Sequence, residues 1–174
     1  SMVMVNFVPG GLAAMFTGFK NQIARINMSN GEILWENTYI GRAERKVWTK
    51  EFIYELYDHG KKFVGICFGH QMIAEALGGK CEKSDQGWGV GAKEVAIYKK
   101  RPWMQPALNS YRMIVSHADQ VTALPEHSEV LGGNSHCPCS IYTVGDNFLG
   151  IQAHPEFTPA FEKDIMEIRK DPMN

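Results

Sequence analysis

Apolar residues along this chain fall into short runs broken by turn residues, with several stretches of helical spacing between them. Residues 2–8 form an apolar run interrupted only by Asn6 and ended by Pro9-Gly10-Gly11, which reads as a first strand. Residues 12–23 place Leu12, Met15, Phe16, Phe19 and Ile23 at helical spacing. A second strand fits residues 26–28, closed by Ser29-Asn30-Gly31, and a third apolar piece covers 35–40. Residues 44–59 predict an amphipathic helix with Val47, Phe52 and Leu56 on one side and Gly60 as its stop. Phe63, Val64 and Ile66 then make a short strand of the kind covered on both faces. From Gln71 the spacing Met72, Ile73, Ala76, Leu77 is helical and halts at Gly78-Gly79.

Beyond Gly79 the pattern changes. Gly87-Trp88-Gly89-Val90-Gly91 reads as a glycine-rich connection. Short strands fit residues 94–98, 113–116, 129–131, 139–144 and 148–153, and residues 159–169 predict a last helix through Phe161, Ile165 and Ile168. The order of elements predicts an α/β domain: a mostly parallel sheet flanked by helices, with a strand-rich second half. No repeat or linker interrupts it, and 174 residues suit one domain over 1–174, with Ser1 ahead of Met2 read as a tag remnant.

Charge changes this picture little. A net charge of −1 with 21% charged residues gives no electrostatic reason to expect nucleic acid or an anionic membrane as partner. No apolar run approaches the ~20 residues of a transmembrane helix, and the start lacks the basic and apolar regions of a secretion signal. The four cysteines, Cys67, Cys81, Cys137 and Cys139, lack a disulfide-scaffold spacing, so a reducing, cytoplasmic setting is expected. Gly87-x-Gly89-x-Gly91 lacks dinucleotide-binding spacing and is not followed by a helix. Lys99-Lys100-Arg101 reads as a solvated loop. Cys137-Pro138-Cys139 beside His136 offers too few ligands for a metal and reads as a proline turn. No metal and no cofactor are expected.

The chemistry concentrates at Gly65-Ile66-Cys67-Phe68-Gly69, a G-x-C-x-G sequence between the buried strand and the helix that follows. Two glycines allow a tight strand-to-helix turn that exposes the side chain between them at the end of the sheet. Cys67 would then stand at a helix N-terminus, where the dipole favours thiolate over thiol. A merely structural cysteine would not need both glycines. A cysteine nucleophile also needs a base. Of six histidines, His154 has the best surroundings: it ends an apolar strand and is followed by Pro155-Glu156. In an extended segment His154 and Glu156 project to the same side, so the carboxylate can fix the imidazole tautomer. Cys67, His154 and Glu156 thus form a candidate triad.

These residues carry a resemblance. Gly65-Ile66-Cys67-Phe68-Gly69-His70-Gln71 with Ala153-His154-Pro155-Glu156-Phe157 resembles the class I (triad-type) glutamine amidotransferase family, and Ser116-His117-Ala118-Asp119 is similar to that family's S-H-x-D segment. Within the family, Lys83-Ser84-Asp85-Gln86-Gly87-Trp88-Gly89-Val90-Gly91 and Asn134-Ser135-His136-Cys137-Pro138 are similar to stand-alone GMP-synthase-like amidotransferase domain proteins. The resemblance implies a flavodoxin-like fold and hydrolysis of glutamine to glutamate and ammonia through a Cys67 thioester. It makes His154 the proton carrier, the Phe68 N–H one oxyanion donor, and Gln71, Ser116 and Asp119 holders of the glutamine's amino-acid end; His117 is expected to be structural. The substrate would be glutamine or another γ-glutamyl compound, and the ammonia acceptor, where there is one, a separate synthetase. A γ-glutamyl peptidase or hydrolase with the same triad is the enzymatic alternative, and a non-catalytic partner-binding module the other.

One place departs from the family. Its second oxyanion donor comes from a glycine-rich loop after the third strand, and here that place reads Asn37-Thr38-Tyr39-Ile40-Gly41-Arg42-Ala43-Glu44, with Gly41 as the one candidate. Two readings fit: a disordered stretch omitted from the sequence, or a loop truncated in the protein itself. The intact strand and helix patterns on either side favour the first.

Overall fold

A computed structural model of the chain describes the backbone of residues 2–7, 21–26, 33–39 and 43–168, with side-chain surroundings from 49 to 167. Ser1, most of the expected helix over 12–23, and Gly41 lie outside the described residues.

The apolar run Phe63–Cys67 is a strand, β4, at the middle of everything that follows. Before it come β1 (Met2–Phe7), β2 (Asn21–Ile26), β3 (Ile33–Tyr39) and helix α1 (Ala43–Asp58). After it come α2 (Phe68–Ala76), β5 (Lys80–Lys83), β6 (Gly89–Ile97), β7 (Ser110–His117) and β8 (Asp119–Ala123). The chain then runs through β9 (Ser128–Gly133), β10 (Ile141–Val144), β11 (Phe148–Ile151) and α3 (Pro159–Ile168). Nine strands form one sheet in the order β3-β2-β1-β4-β11-β10-β9-β6-β7, and β5 pairs with β8 in a small second sheet.

The α/β class and the strand-rich second half hold, but parallel pairing is confined to the centre. β4 runs parallel to β1 and to β11, and the other described neighbours in the sheet are antiparallel. The connections explain this. Three residues, Gly145-Asp146-Asn147, join β10 to β11, and a parallel return needs a crossover of a dozen or more. Only the long excursions that carry helices can bring strands back parallel.

Local boundaries differ in three places. Ile23, expected at the end of a helix, lies in β2, where Ile23 pairs with Val5 of β1 and Asn37 of β3. Ladders on both sides outweigh a weak helical spacing. The second strand is therefore Asn21–Ile26 rather than 26–28. Gly89 to Gly91, expected in a connection, open β6 and pair with His117, Ser116 and Val115 of β7.

The core lies between the sheet and its helices. Ile53 of α1, Met72, Ile73 and Ala74 of α2, and Phe63, Tyr142, Val144 and Phe148 of the sheet form one buried cluster, joined by Val121 of β8. The Phe148 ring packs at 5.2 Å from Phe63 and 5.6 Å from Tyr57. Burial of each such side chain contributes about 1.5–3 kcal/mol, so the chain entering and leaving Cys67 is fixed from both sides. Val95, Met104, Leu131 and Ile141 make a second cluster under the antiparallel wing.

Candidate active site

Cys67 is the last residue of β4 and the N-cap of α2, with φ 50° and ψ −102°. Left-handed φ in a non-glycine residue costs about 1–3 kcal/mol and persists only where the surroundings impose it. Here they do. A Cβ added at Gly65 would meet the Gly69 carbonyl and sit 2.8 Å from the His70 nitrogen, so the turn closes only on glycine. The Cys67 side chain makes no capping bond to its own helix, and its residue is 2% exposed. The Phe68 N–H is the first of α2 and belongs to the helix end that has no intrahelical acceptor.

The parallel register brings the base to the same edge. Ile66 of β4 pairs with Ile151 of β11, and both chains then leave the sheet at their C-terminal ends. His154 is held there by its N–H, which donates to the Ile114 carbonyl of β7 at 2.8 Å. Its Nδ1 lies 2.8 Å from Glu156 Oε1, with the imidazole 0% and the carboxylate 29% exposed. The pair meets through a turn, not the extended segment expected: residues 154–157 close on themselves, with Phe157 N–H donating to the His154 carbonyl at 3.3 Å. Pro155, with its fixed φ, suits the second position of such a turn. Phe157 then stacks on the imidazole at 3.9 Å and 11°, and Phe161 of α3 backs it edge-on at 4.6 Å.

Burial by itself lowers the His154 pKa. Hydrogen bonding and charge from Cys67, and then from Glu156, outweigh it and raise the ring to about 9. Nε2 is buried without an acceptor or donor at ordinary hydrogen-bond geometry, so the Cys67 influence comes from a sulfur that is near but not yet aligned. Such looseness is usual before substrate is bound. Protonated His154 with Nδ1 on the carboxylate is the form this pocket favours at neutral pH.

The other histidines are of a different kind. His70 is fully buried, its Nε2 2.8 Å from the Cys139 carbonyl, and burial lowers its pKa to about 3. Burial likewise takes His117 to about 4. Its Nδ1 contacts the Asp119 carbonyl at 3.1 Å, so the neutral ring donates from Nδ1, and its ring centre is 5.8 Å from that of His136. A Cβ at Gly89 would sit 2.8 Å from His136 Nε2, which is why a glycine opens β6. Cys137 is pushed up to about 11 and Cys139 is also raised, both by burial. Asn134 Oδ1 accepts from the N–H of His136 and of Cys137, tying that turn to itself. Among the described residues no three His, Cys, Asp or Glu side chains converge as metal ligands.

Residues 21–169 match the family Glutamine amidotransferase class-I. The chain belongs to that family. Gamma-glutamyl peptidase 4 of Arabidopsis thaliana is 36% identical over 124 residues, which are 67% of this chain and 49% of that protein. A GMP synthase [glutamine-hydrolyzing] subunit of Methanoculleus marisnigri is 37% identical over 100 residues, 57% of this chain and 54% of that one. The chain thus spans about half the length of these curated relatives. The crystal structure of a glutamine amidotransferase from Thermotoga maritima superposes with a TM-score of 0.65 at 24% identity, covering 77% of this chain and 60% of that one. Another, from Methylobacillus flagellatus, gives 0.64 at 17%, covering 86% and 56%. These likenesses identify the fold as the flavodoxin-like fold of class I glutamine amidotransferases.

Within this candidate site, the sequence-predicted residues fall into two groups. Cys67, Phe68, His154 and Glu156 come together at one end of the sheet. Gln71 lies a turn into α2, and both its amide hydrogens are used inside the protein, on the Asp119 carbonyl at 2.8 Å and on Gln152 Oε1 at 3.2 Å. Ser116 is buried at the end of β7, its hydroxyl without a hydrogen bond. Asp119 opens β8 with its residue exposed, and it is its backbone carbonyl that reaches the site. Gln152 was missed by the sequence reading. The signal was available: one polar residue in an otherwise apolar strand, two positions before His154.

Proposed function

We propose that the chain hydrolyses the side-chain amide of glutamine to glutamate and ammonia, with Cys67 as nucleophile, His154 as proton carrier and Glu156 as its orienter. The observation that carries this is the buried imidazole set between a left-handed elbow cysteine and a carboxylate 2.8 Å from Nδ1. With its proton already on His154, Cys67 Sγ attacks the amide carbon as a thiolate to form a tetrahedral oxyanion. The Phe68 N–H donates to that oxygen. The C–N bond breaks as His154 protonates the departing nitrogen, leaving a glutamyl thioester. His154 then takes a proton from water, whose oxygen attacks the thioester carbonyl, and glutamate leaves as the thiolate reforms beside protonated His154. Gly41, which follows β3 in the sequence, is the candidate for the second oxyanion donor, and Ser116 and Asp119 for contacts to the amino-acid end. Gln71 supports the site from beneath, since its hydrogens are already taken.

Release of ammonia to a separate synthetase is the partner reading, supported by the likeness to a GMP synthase subunit. The described cysteines are free, which fits the reducing, cytoplasmic setting a thiol nucleophile requires. The second reading, cleavage of γ-glutamyl peptides, is favoured by the gamma-glutamyl peptidase likeness, which spans more of the chain than the synthase one. Both cleave the same bond type and differ in what the pocket admits beyond the nitrogen. Incubation with glutamine and with glutathione, following ammonia and amine release beside Cys67→Ala, separates them. Ammonia from glutamine supports the first and amine from glutathione the second. No turnover of either, with no labelling of Cys67 by a glutamine-mimicking diazo-ketone, sinks both and leaves a partner-binding module.

A further inference from the structure

Gln152 is 0% exposed and stands one step past the Ile66–Ile151 pairing, beside Cys67. A wholly buried amide must find partners for both its oxygen and its nitrogen, and which end faces which neighbour is fixed by what those neighbours can do. The Asp119 carbonyl can only accept, so Gln71 must turn its nitrogen toward it, at 2.8 Å. That nitrogen is also 3.2 Å from the Gln152 side chain, so Gln152 must offer its oxygen there. The Gln152 nitrogen is left pointing at Cys67 Sγ, 3.6 Å away. Its backbone is pinned as well, the Gln152 N–H donating to the Ser140 carbonyl at 2.8 Å. Gln152 is also among the neighbours that act on the His70 ring, which is neutral and donates from Nε2 to the Cys139 carbonyl.

We propose that Gln152 is a thiolate-binding residue: its amide, locked in one orientation by Gln71 and the Asp119 carbonyl, donates to Cys67 Sγ and favours the anionic sulfur before substrate arrives. An N–H bond to sulfur is weak for a thiol and stronger for a thiolate, so the contact discriminates between the two. The lock matters because a freely turning amide would present its oxygen to the sulfur half the time and favour the thiol. The inference rests on Cys67 being the nucleophile.

The test reads the sulfur directly and needs no substrate. The rate of Cys67 alkylation by iodoacetamide is followed against pH by mass spectrometry of the peptide that carries it. Gln152→Met keeps the length and removes the donor, and the midpoint of the profile rises by about one pH unit, a tenfold change equal to about 1.4 kcal/mol. Gln152→Glu, with a carboxylate facing the sulfur, raises it further. Gln71→Met leaves Gln152 in place but frees its amide, and gives a smaller rise in the same direction. A loss of packing alone would lower the melting temperature without moving the midpoint. An unmoved midpoint in folded Gln152→Met or Gln152→Glu overturns the proposal; should both unfold, Gln71→Met decides it in the same way. A wild-type Cys67 alkylated no faster than Cys81 at neutral pH would instead overturn the nucleophile reading.

Discussion

Replacing Glu156 by Gln removes one charge from the site and little else, because Gln keeps the shape and still offers an oxygen to Nδ1. In the native chain that oxygen lies 2.8 Å from a buried imidazole whose pKa stands at about 9, against 6.5 for a free ring. Burial alone would take the ring below 6.5, so Cys67 and Glu156 together supply more than the visible rise. Two unit charges about 4 Å apart near a protein surface interact by about 4 kcal/mol. Glu156 is 29% exposed, and solvent screening reduces its share to about 1.4–2.8 kcal/mol, the range of a hydrogen bond to a charged group. At 1.36 kcal/mol per unit, the ring pKa falls by about one to two units, to about 7–8. His154 must be protonated to release the amine, so the alkaline limb of the activity profile marks its deprotonation. That limb lies near 9 in the native chain and moves to between 7 and 8 in Glu156→Gln. Ammonia release from glutamine between pH 5 and 10, with an imidazole titration by NMR beside it, checks both values. A native limb at 6–7, or one that Glu156→Gln leaves in place, refutes the claim that the carboxylate holds the proton on His154.

The strained elbow makes a separate prediction: Cys67→Gly abolishes activity yet gains about 1 kcal/mol of stability as the left-handed φ of 50° becomes unstrained. Its melting temperature should rise by about 2–4 °C, and a fall would mean the elbow carries no strain. Gly65→Ala should do the reverse, losing about 1–3 kcal/mol because the new Cβ meets the backbone of Gly69 and His70, which cannot rotate away. An unchanged melting temperature and activity would show that the turn has room. Acid should destabilise the fold through His70 and His117, whose folded pKa values of about 3 and 4 lie below the unfolded 6.5. Their contribution is complete above pH 6.5 and is lost as pH falls toward 4 and then 3, at up to about 1.4 kcal/mol per pH unit for each ring. Thermal melts from pH 7 to 4 should show the loss, and replacing His117 by Gln should make the slope shallower; a flat profile would contradict neutral burial.

The elbow was legible because its residues do their work locally. Gly65, Cys67 and Gly69 are constrained by one turn of chain, and two glycines flanking a cysteine leave few other uses. His154 and Glu156 were legible as partners, although proximity along two residues was read as an extended strand when Pro155 makes a turn of it. What spacing cannot carry is anything decided by a distant neighbour. β5 and β8 were not anticipated at all: Lys80–Lys83 and Asp119–Ala123 have weak apolar alternation, and they exist as strands because each supplies the other's ladder. Ile23 went to a strand for the same reason. Gln152 reads as an ordinary polar residue until Gln71 and Asp119, 81 and 33 positions away along the chain, are placed against it.

The mixed sheet has a chemical sense that its strand order alone does not convey. A nucleophile and its base must sit about one side chain apart, and both must lie at an edge that substrate can approach. Two adjacent parallel strands satisfy this at once, because their C-terminal ends open at the same edge of the sheet. β4 ends in Cys67 and β11 runs on into Gln152 and His154, so the Ile66–Ile151 register sets the separation of sulfur and imidazole. An antiparallel partner in the place of β11 would start, not end, beside Cys67, and would carry its histidine to the opposite edge. The antiparallel wing then fixes what the parallel centre cannot. β7 accepts the His154 N–H through the Ile114 carbonyl, and from the small second sheet the first residue of β8 accepts from Gln71. Two parallel pairings suffice for the proposed chemistry, and the rest of the sheet is free to be built from antiparallel strands.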